Sequence, residues 1–262
     1  MSTLSLAVRD SSTMLRRNLL HMRRYPSMTF LLIGIPIIIL LLFVYVFGGT
    51  LGAGLGPSGD RSQYANYVTP GILLITVVSA AQGIAISVAM DMTEGIIARF
   101  RTMSIFRPSV LTGHVLGSLV QTLLSLVAVT VVALLVGFRP TANPVEWLAA
   151  IGVLAMITFA LTWLSVALGL VSDSVETASN LPMPLILLPF LGSGFVPTDS
   201  MPAAVRWFAD YQPFTPVMET LRGLLLGTGI GANGVIAVIW CTVISVGCFL
   251  WAKALYNRNR TA

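Results

Sequence analysis

Residues 28–47 read MTFLLIGIPIIILLLFVYVF, a run without one charged side chain. As an α-helix, a run of about 20 such residues matches the hydrocarbon thickness of a bilayer. Water is absent there, so backbone donors and acceptors must be satisfied within the chain, which leaves helices as the building blocks. Apolar runs recur at about 67–90, 110–138, 147–171, 178–195 and 232–251. The composition agrees: 56% of the chain is hydrophobic and 10% charged, where soluble domains carry roughly 25% charged residues. The reading is an all-α integral membrane protein, one domain over 1–262 with six transmembrane helices.

One stretch breaks the pattern. Pro189 to Gly227 reads PFLGSGFVPTDSMPAAVRWFADYQPFTPVMETLRGLLLG. It is apolar enough for membrane depth yet holds Pro189, Pro197, Pro202, Pro213 and Pro216, with Asp199, Arg206, Asp210, Glu219 and Arg222. Proline removes a backbone donor and clashes with the preceding turn, and ionised groups are costly at the bilayer centre. A single spanning helix cannot hold that mixture, so a segment at 197–227 is expected to dip into the membrane and return. Glu219 and Arg222 stand at i and i+3, on one helical face, where they can pair. They either lie below the headgroups or stabilise the return helix at the water boundary.

Two amphipathic stretches flank the first spans. Residues 3–24 put Leu4, Val8, Leu15, Leu19 and Met22 near one stripe and most of Arg9, Arg16, Arg17, Arg23 and Arg24 elsewhere, which suits either a helix in the headgroup plane or simply a basic anchor before the first span. Charged residues extend to Arg24 with no small-residue cleavage site after a short apolar core, so the first span is expected to direct insertion itself. Residues 91–108, DMTEGIIARFRTMSIFRP, space Ile96, Ile97, Phe100 and Met103 at helical intervals among Asp91, Glu94, Arg99, Arg101 and Arg107. They form either a basic turn or a docking helix for a cytosolic partner.

Charge then orients the chain. With both termini cytosolic, Arg9, Arg16, Arg17, Arg23, Arg24, Arg99, Arg101, Arg107, Lys253, Arg258 and Arg260 lie inside, 11 of the 15 basic residues. The acidic residues divide evenly, so the bias rests on Lys and Arg, as the positive-inside rule requires. The Pro-rich segment therefore belongs to the outer face.

Enzyme chemistry is missing. There is no GxxxxGK[ST] phosphate loop and the sole lysine is Lys253, so any ATP-driven step belongs to another polypeptide. No HExxH or GxSxG occurs, and His21 and His114 have no partner ligands nearby in sequence for a metal. Cys241 and Cys248 read as packing residues. The basic residues follow membrane edges and do not form a nucleic-acid face. Gln82 and Ser87, inside the second run, either line a substrate path or hydrogen-bond a neighbouring helix.

Three stretches carry a resemblance. LPFLGSGFVPTDSMPAAVRWFADYQPFTPVMETLRGLLLG resembles the signature region of permease subunits of type-2 ABC exporters, through Ser193, Gly194, Val196, Pro197, Met201, Pro202, Trp207, Pro213, Glu219 and Arg222. RNLLHMRRYPSMTFLLIGIPIIILLLFVYVFGG resembles the approach to that family's first span, and DMTEGIIARFRTMSIFRPSVLTG the cytosolic loop of its daunorubicin-resistance-type branch. The resemblance implies an N-terminal elbow helix, a cytosolic coupling helix, and an outer re-entrant helical hairpin between spans 5 and 6. It implies coupling to the ATPase through Glu94, Gly95, Arg99, Phe100 and Arg101, and an outer gate involving Phe195, Pro197, Pro202, Pro213, Glu219 and Arg222. Two ATP-binding subunits carrying ATP and Mg²⁺ are implied partners, with a second permease, identical or homologous, membrane lipid and a hydrophobic or amphipathic substrate. The expected place is the bacterial cytoplasmic membrane. Ser104 departs from the proline expected after Arg-Phe-Arg. A polysaccharide or glycolipid exporter permease and a non-transporting scaffold or immunity protein are the alternative readings.

Overall fold

The structure, a computed structural model, describes residues 26–53, 60–93 and 108–258. The expected elbow helix at 3–24 and the loop residues 94–107, Ser104 among them, lie outside the described residues. Every regular element described is helical. Helix α1 runs Pro26–Leu41 and continues through a wide π-helical stretch, Leu42–Phe47, into Gly48–Ala53. It is followed by α2 (Arg61–Thr93), α3 (Pro108–Val136) and α4 (Pro144–Val171). Short helices α5 (Val175–Asn180) and α6 (Met183–Leu187) come next, then a 3₁₀ turn at Thr198–Ser200. The chain closes with α7 (Ala203–Tyr211), α8 (Phe214–Leu226) and α9 (Asn233–Arg258).

Among the described residues five helices are long and apolar enough to cross a membrane: Leu32–Ala53, Arg61–Thr93, Val115–Val136, Pro144–Val171 and Asn233–Leu255. The run at 178–195, expected as a fifth span punctuated by Pro182, Pro184 and Pro189, is not one continuous helix. It breaks after Asn180, resumes for five residues at Met183, and unwinds into turns over 188–195. Pro182, Pro184 and Pro189 account for this, since each lacks an N–H and obstructs the turn before it. The 197–227 segment holds two helices, α7 and α8, separated at Gln212 and Pro213.

Local sequence sets several helix ends. At the start of α4, Asn143 Oδ1 accepts from the Val145 and Glu146 amides, each at 2.9 Å, and Glu146 Oε2 accepts from the Asn143 amide at 2.7 Å. Pro144 occupies the first turn, where its missing N–H costs nothing. After α3 the Arg139 guanidinium donates to the carbonyls of Leu134 and Phe138 at 2.7 and 3.2 Å, satisfying acceptors the helix leaves free.

Helix α2 is the axis of the bundle. It packs against α1, α3, α4, α5 and α8, and α9 closes the far side by packing on α4. Its Val68, Ile72 and Ile75 share a core with Ile157 and Leu161 of α4 and Val217, Met218 and Leu221 of α8. A second cluster joins Ile84 and Val88 to Trp163, Val166 and Ala252 nearer the other end. Buried hydroxyls are satisfied within their own helices: Thr69, Thr76, Thr158, Thr162 and Thr220 each donate to the carbonyl four residues back, at 2.6–2.9 Å. In a medium without water this removes the cost of an unpaired hydroxyl.

The α2–α4 contact depends on Gly169. A Cβ there would lie 2.7 Å from the Ala85 carbonyl oxygen and 2.9 Å from the Val88 Cβ. Small residues let membrane helices approach until their backbones touch. Gly152 of the same helix has open space around it. Gly169→Val is therefore expected to cost about 1–3 kcal/mol through overpacking, while Gly152→Val leaves stability nearly unchanged. Thermal unfolding of both variants in detergent measures the contrast; equal stability would place the helices farther apart than described.

Candidate functional site

At one end of the bundle, where the 188–195 turns pass between α2 and α8, main-chain carbonyls cannot bond to their own helix because there is none. Side chains from three directions meet them instead. Tyr64 and Tyr67 stand at i and i+3 near the start of α2, on one face. The Tyr64 hydroxyl donates to the Phe195 carbonyl at 3.3 Å and the Tyr67 hydroxyl to the Ser193 carbonyl at 2.9 Å. From α8, one terminal nitrogen of Arg222 donates to the same Ser193 carbonyl at 2.8 Å and to the Tyr67 carbonyl at 3.3 Å. The Gln212 amide nitrogen, from the α7–α8 link, donates to the Leu188 carbonyl at 2.9 Å.

Arg222 is the centre of this arrangement. Its side chain is 9% exposed, and its other terminal nitrogen pairs with Glu219 Oε1 at 2.5 Å. The guanidinium carbon lies 4.0 Å from the centroid of the Tyr67 ring. A carboxylate, two carbonyls and a π-face together replace the hydration that burial removes. The guanidinium is suited to this because its planar fork reaches several acceptors at once. Glu219 is 32% exposed on its side chain, so the pair opens toward the surface from the carboxylate side.

The glycines of the Gly192-Ser193-Gly194 stretch allow the close fit. A Cβ on Gly71 of α2 would lie 2.8 Å from the Gly194 carbonyl oxygen, and one on Gly194 would lie 2.7 Å from Met218 Sδ. Backbone therefore passes directly over backbone at this crossing. Phe195 is buried and its ring lies 4.6 Å from both Phe43, in the π-helical part of α1, and Phe190, the latter stacked. This ring cluster joins α1 to the turns. Three buried atoms here, Arg222 Nε, Ser193 Oγ and Gln212 Oε1, have no hydrogen-bond partner among the described residues.

The residues expected at an outer gate thus fall into two groups. Phe195, Glu219 and Arg222 converge with Ser193. Pro197 and Pro202 flank the 3₁₀ turn and precede α7, and Pro213 starts α8, so these shape the backbone around the cluster. Gln82 and Ser87 stand elsewhere: Gln82 is 15 positions beyond Tyr67 on α2, about 22 Å along the axis. Its amide nitrogen donates to the Ser179 carbonyl of α5 at 2.8 Å, while the exposed Ser87 hydroxyl bonds back to Gly83 at 2.9 Å. Glu94, Gly95, Arg99, Phe100 and Arg101 lie outside the described residues. Sequence reasoning missed Tyr64, Tyr67, Gln212 and Phe43. The two tyrosines one turn apart in an apolar helix were a usable signal; Gln212 and Phe43 had none, because their partners are main-chain atoms and rings distant in sequence.

A family model described as ABC-2 type transporter matches residues 10–226. The daunorubicin resistance ABC transporter permease protein DrrB1 of Streptomyces coeruleorubidus is 27% identical over 256 residues, covering 97% of this chain and 88% of that protein. The probable doxorubicin resistance ABC transporter permease protein DrrC of Mycobacterium tuberculosis is 22% identical over 226 residues, covering 86% of this chain and 81% of that protein.

Removing one member of the buried pair leaves the other uncompensated. Glu219→Ala is expected to destabilise the chain by about 3 kcal/mol, the low end for a buried pair because the carboxylate is partly exposed. Glu219→Ala combined with Arg222→Met, which removes both charges, is expected to be less destabilised than the two single losses added together. Unfolding of the four proteins in mixed micelles closes this cycle; strict additivity would mean the two charges do not sense one another.

Proposed function

This chain belongs to the ABC-2 type transporter family, and on that premise we propose that it is the transmembrane permease of an exporter that moves hydrophobic or amphipathic compounds outward, driven by a separate ATP-binding subunit. The relatives named for daunorubicin and doxorubicin resistance support cargo of that class. In this reading two ATP-binding subunits carry the ATP and Mg²⁺, two permeases form the path, and the chain sits in a bacterial cytoplasmic membrane with both termini cytosolic. Its own side chains do not hydrolyse anything; they bind, couple and gate.

The observation that carries the mechanism is the continuity of α2. This helix of 33 residues is about 50 Å long. Its C-terminal end, Thr93, leads directly into the loop of Glu94, Gly95, Arg99, Phe100 and Arg101. Near its N-terminal end Tyr64 and Tyr67 hold the carbonyls of the broken segment. A push from the closing ATPases on that loop would travel along a packed helix to the cluster of Tyr67, Ser193, Glu219 and Arg222. Hydrogen bonds to a few carbonyls can exchange between discrete arrangements where a packed core cannot deform smoothly. Releasing them lets the 188–195 turns move and opens the outer side. ATP drives this only through contacts that differ between the two states.

Two measurements test the reading. Arg99→Glu or Arg101→Glu, in the chain co-expressed with its ATPase, is expected to abolish ATPase co-purification and transport while leaving membrane insertion intact. Normal binding and transport by both variants would remove these residues from the coupling role. Gln82→Leu is expected to lose no more than about 1.7 kcal/mol of stability, the upper range for a hydrogen bond between membrane helices, with transport retained. A large transport defect at unchanged stability would instead put Gln82 on the substrate path.

A further inference from the structure

Over residues 36–52 of the first span every fourth residue is buried: Pro36, Leu40, Val44, Gly48 and Gly52. The residues midway between them, Ile38, Leu42, Val46 and Thr50, are all exposed. An α-helix does not keep that rhythm. Four residues turn it about 400°, so a four-residue repeat drifts about 40° per step and about 160° from Pro36 to Gly52. The π-helical stretch Leu42–Phe47 supplies the correction. A turn closed by i→i+5 bonds takes up one residue more than an α-turn, which sets the helix beyond it back by about 100°. One stripe of the span therefore stays on the bundle from end to end.

This wide stretch is held from two sides. The Phe43 ring lies 4.6 Å from Phe195 of the broken segment. Arg61, the first residue of α2, places its guanidinium 5.2 Å from the Tyr45 ring centroid and its stem against Gly48. A Cβ on Gly48 would lie 3.3 Å from Arg61 Cγ and 3.8 Å from Arg61 Cα. The same residues closed as an α-helix would turn Gly48–Ala53 by about 100° and advance it by about 1.5 Å, the step of one residue. Phe47, now 41% exposed, would then take the place of Gly48. A phenyl ring does not fit where a single carbon already touches Arg61, so the start of α2 would have to give way. Tyr64 and Tyr67, which hold the Phe195 and Ser193 carbonyls, stand three and six residues beyond Arg61 on that helix.

We propose that residues 42–47 are a register switch between the first span and the outer cluster. In the wide form Gly48 rests on Arg61 and the two tyrosines reach their carbonyls. In the α form Phe47 replaces Gly48, displaces the start of α2 and draws Tyr64 and Tyr67 away from the 188–195 turns. Conversely, withdrawal of Phe195 from Phe43 frees the stretch to close. Single π-turns inside α-helices recur at functional sites, and two hydrogen-bond registers of one backbone are discrete states rather than a continuous deformation. The switch rests on the reading of the Tyr67–Ser193 cluster as an outer gate driven by ATP.

Two cysteine pairs report the register in the full chain reconstituted in lipid with its ATPase, after Cys241→Ala and Cys248→Ala. Without nucleotide, Gly48→Cys with Arg61→Cys is expected to cross-link oxidatively several-fold faster than Phe47→Cys with Arg61→Cys. With ATP and vanadate the order is expected to reverse. An unchanged order would overturn the switch even in a complex that exports hydrophobic compounds, whereas reversal without export would leave the switch standing and remove the export reading. Phe47→Ala is expected to retain stability and lose transport several-fold, while Ile38→Ala, at a position 63% exposed, changes neither. Deleting Val46 takes out the spare residue and should leave a stable chain fixed in one register, with transport lost. Full transport by Phe47→Ala or by the deletion would also overturn the switch, and these arms do not depend on the cysteine pairs folding.

Discussion

A carbonyl group that leaves a helix inside a membrane has to find a donor, because lipid offers none. The stretch from Leu188 to Phe195 presents several carbonyls without a helical partner, and the structure answers with Tyr64, Tyr67, Gln212 and Arg222. The surrounding fold follows from that requirement. Helix α8 is buried over almost its whole length because it delivers Arg222 to the Ser193 carbonyl, and α2 begins beside the turns because its tyrosines must reach them. Arg222 in turn needs Glu219, since a guanidinium with carbonyl acceptors alone would keep most of its desolvation cost.

Elsewhere the molecule avoids this problem. Threonines in α2, α4 and α8 return their hydroxyls to their own helices, and the outward faces of α3 and α9 carry large apolar residues such as Val127, Leu135, Val243 and Leu250. Much of the buried side-chain bonding between helices described is gathered at one place, with Gln82 on the Ser179 carbonyl a separate contact. Three polar atoms there, Arg222 Nε, Ser193 Oγ and Gln212 Oε1, remain without partners among the described residues, so this is also where the bonding is least complete. In the proposed function this incompletely bonded cluster, next to backbone that is already broken, is the element that moves, in contrast to the close backbone contact at Gly169.

Helices α7 and α8 show how one Pro-rich segment serves two surroundings. The eleven-residue stretch from Ala203 to Pro213 keeps nearly all its bulk outside, with its ion pairs self-contained at Asp199, Arg206 and Asp210. Beyond Pro213 the same chain becomes core, and the Glu219–Arg222 ion pair is drawn into the cluster with Tyr67 and Ser193. The proline marks the change because it ends one helix and starts the next in a new direction.

Much of this was legible in the residues themselves. Long uncharged runs placed the helices at α1, α2, α3, α4 and α9, because a backbone in lipid has one economical way to satisfy itself, and the i, i+3 spacing of Glu219 and Arg222 marked them as a pair. Proline and charge likewise announced that 189–227 could not be a plain span. At 178–195 the apolar run read as a span punctuated by Pro182, Pro184 and Pro189, and those prolines divide it into short helical pieces followed by turns. Only the tertiary structure decided what holds those turns. Tyr67 and Ser193 are 126 positions apart, as are no residues that a local pattern can compare, and the contact is to a main-chain carbonyl that every residue possesses. Sequence registers which side chains are costly to bury; which acceptors they reach depends on where folding brings unpaired backbone together.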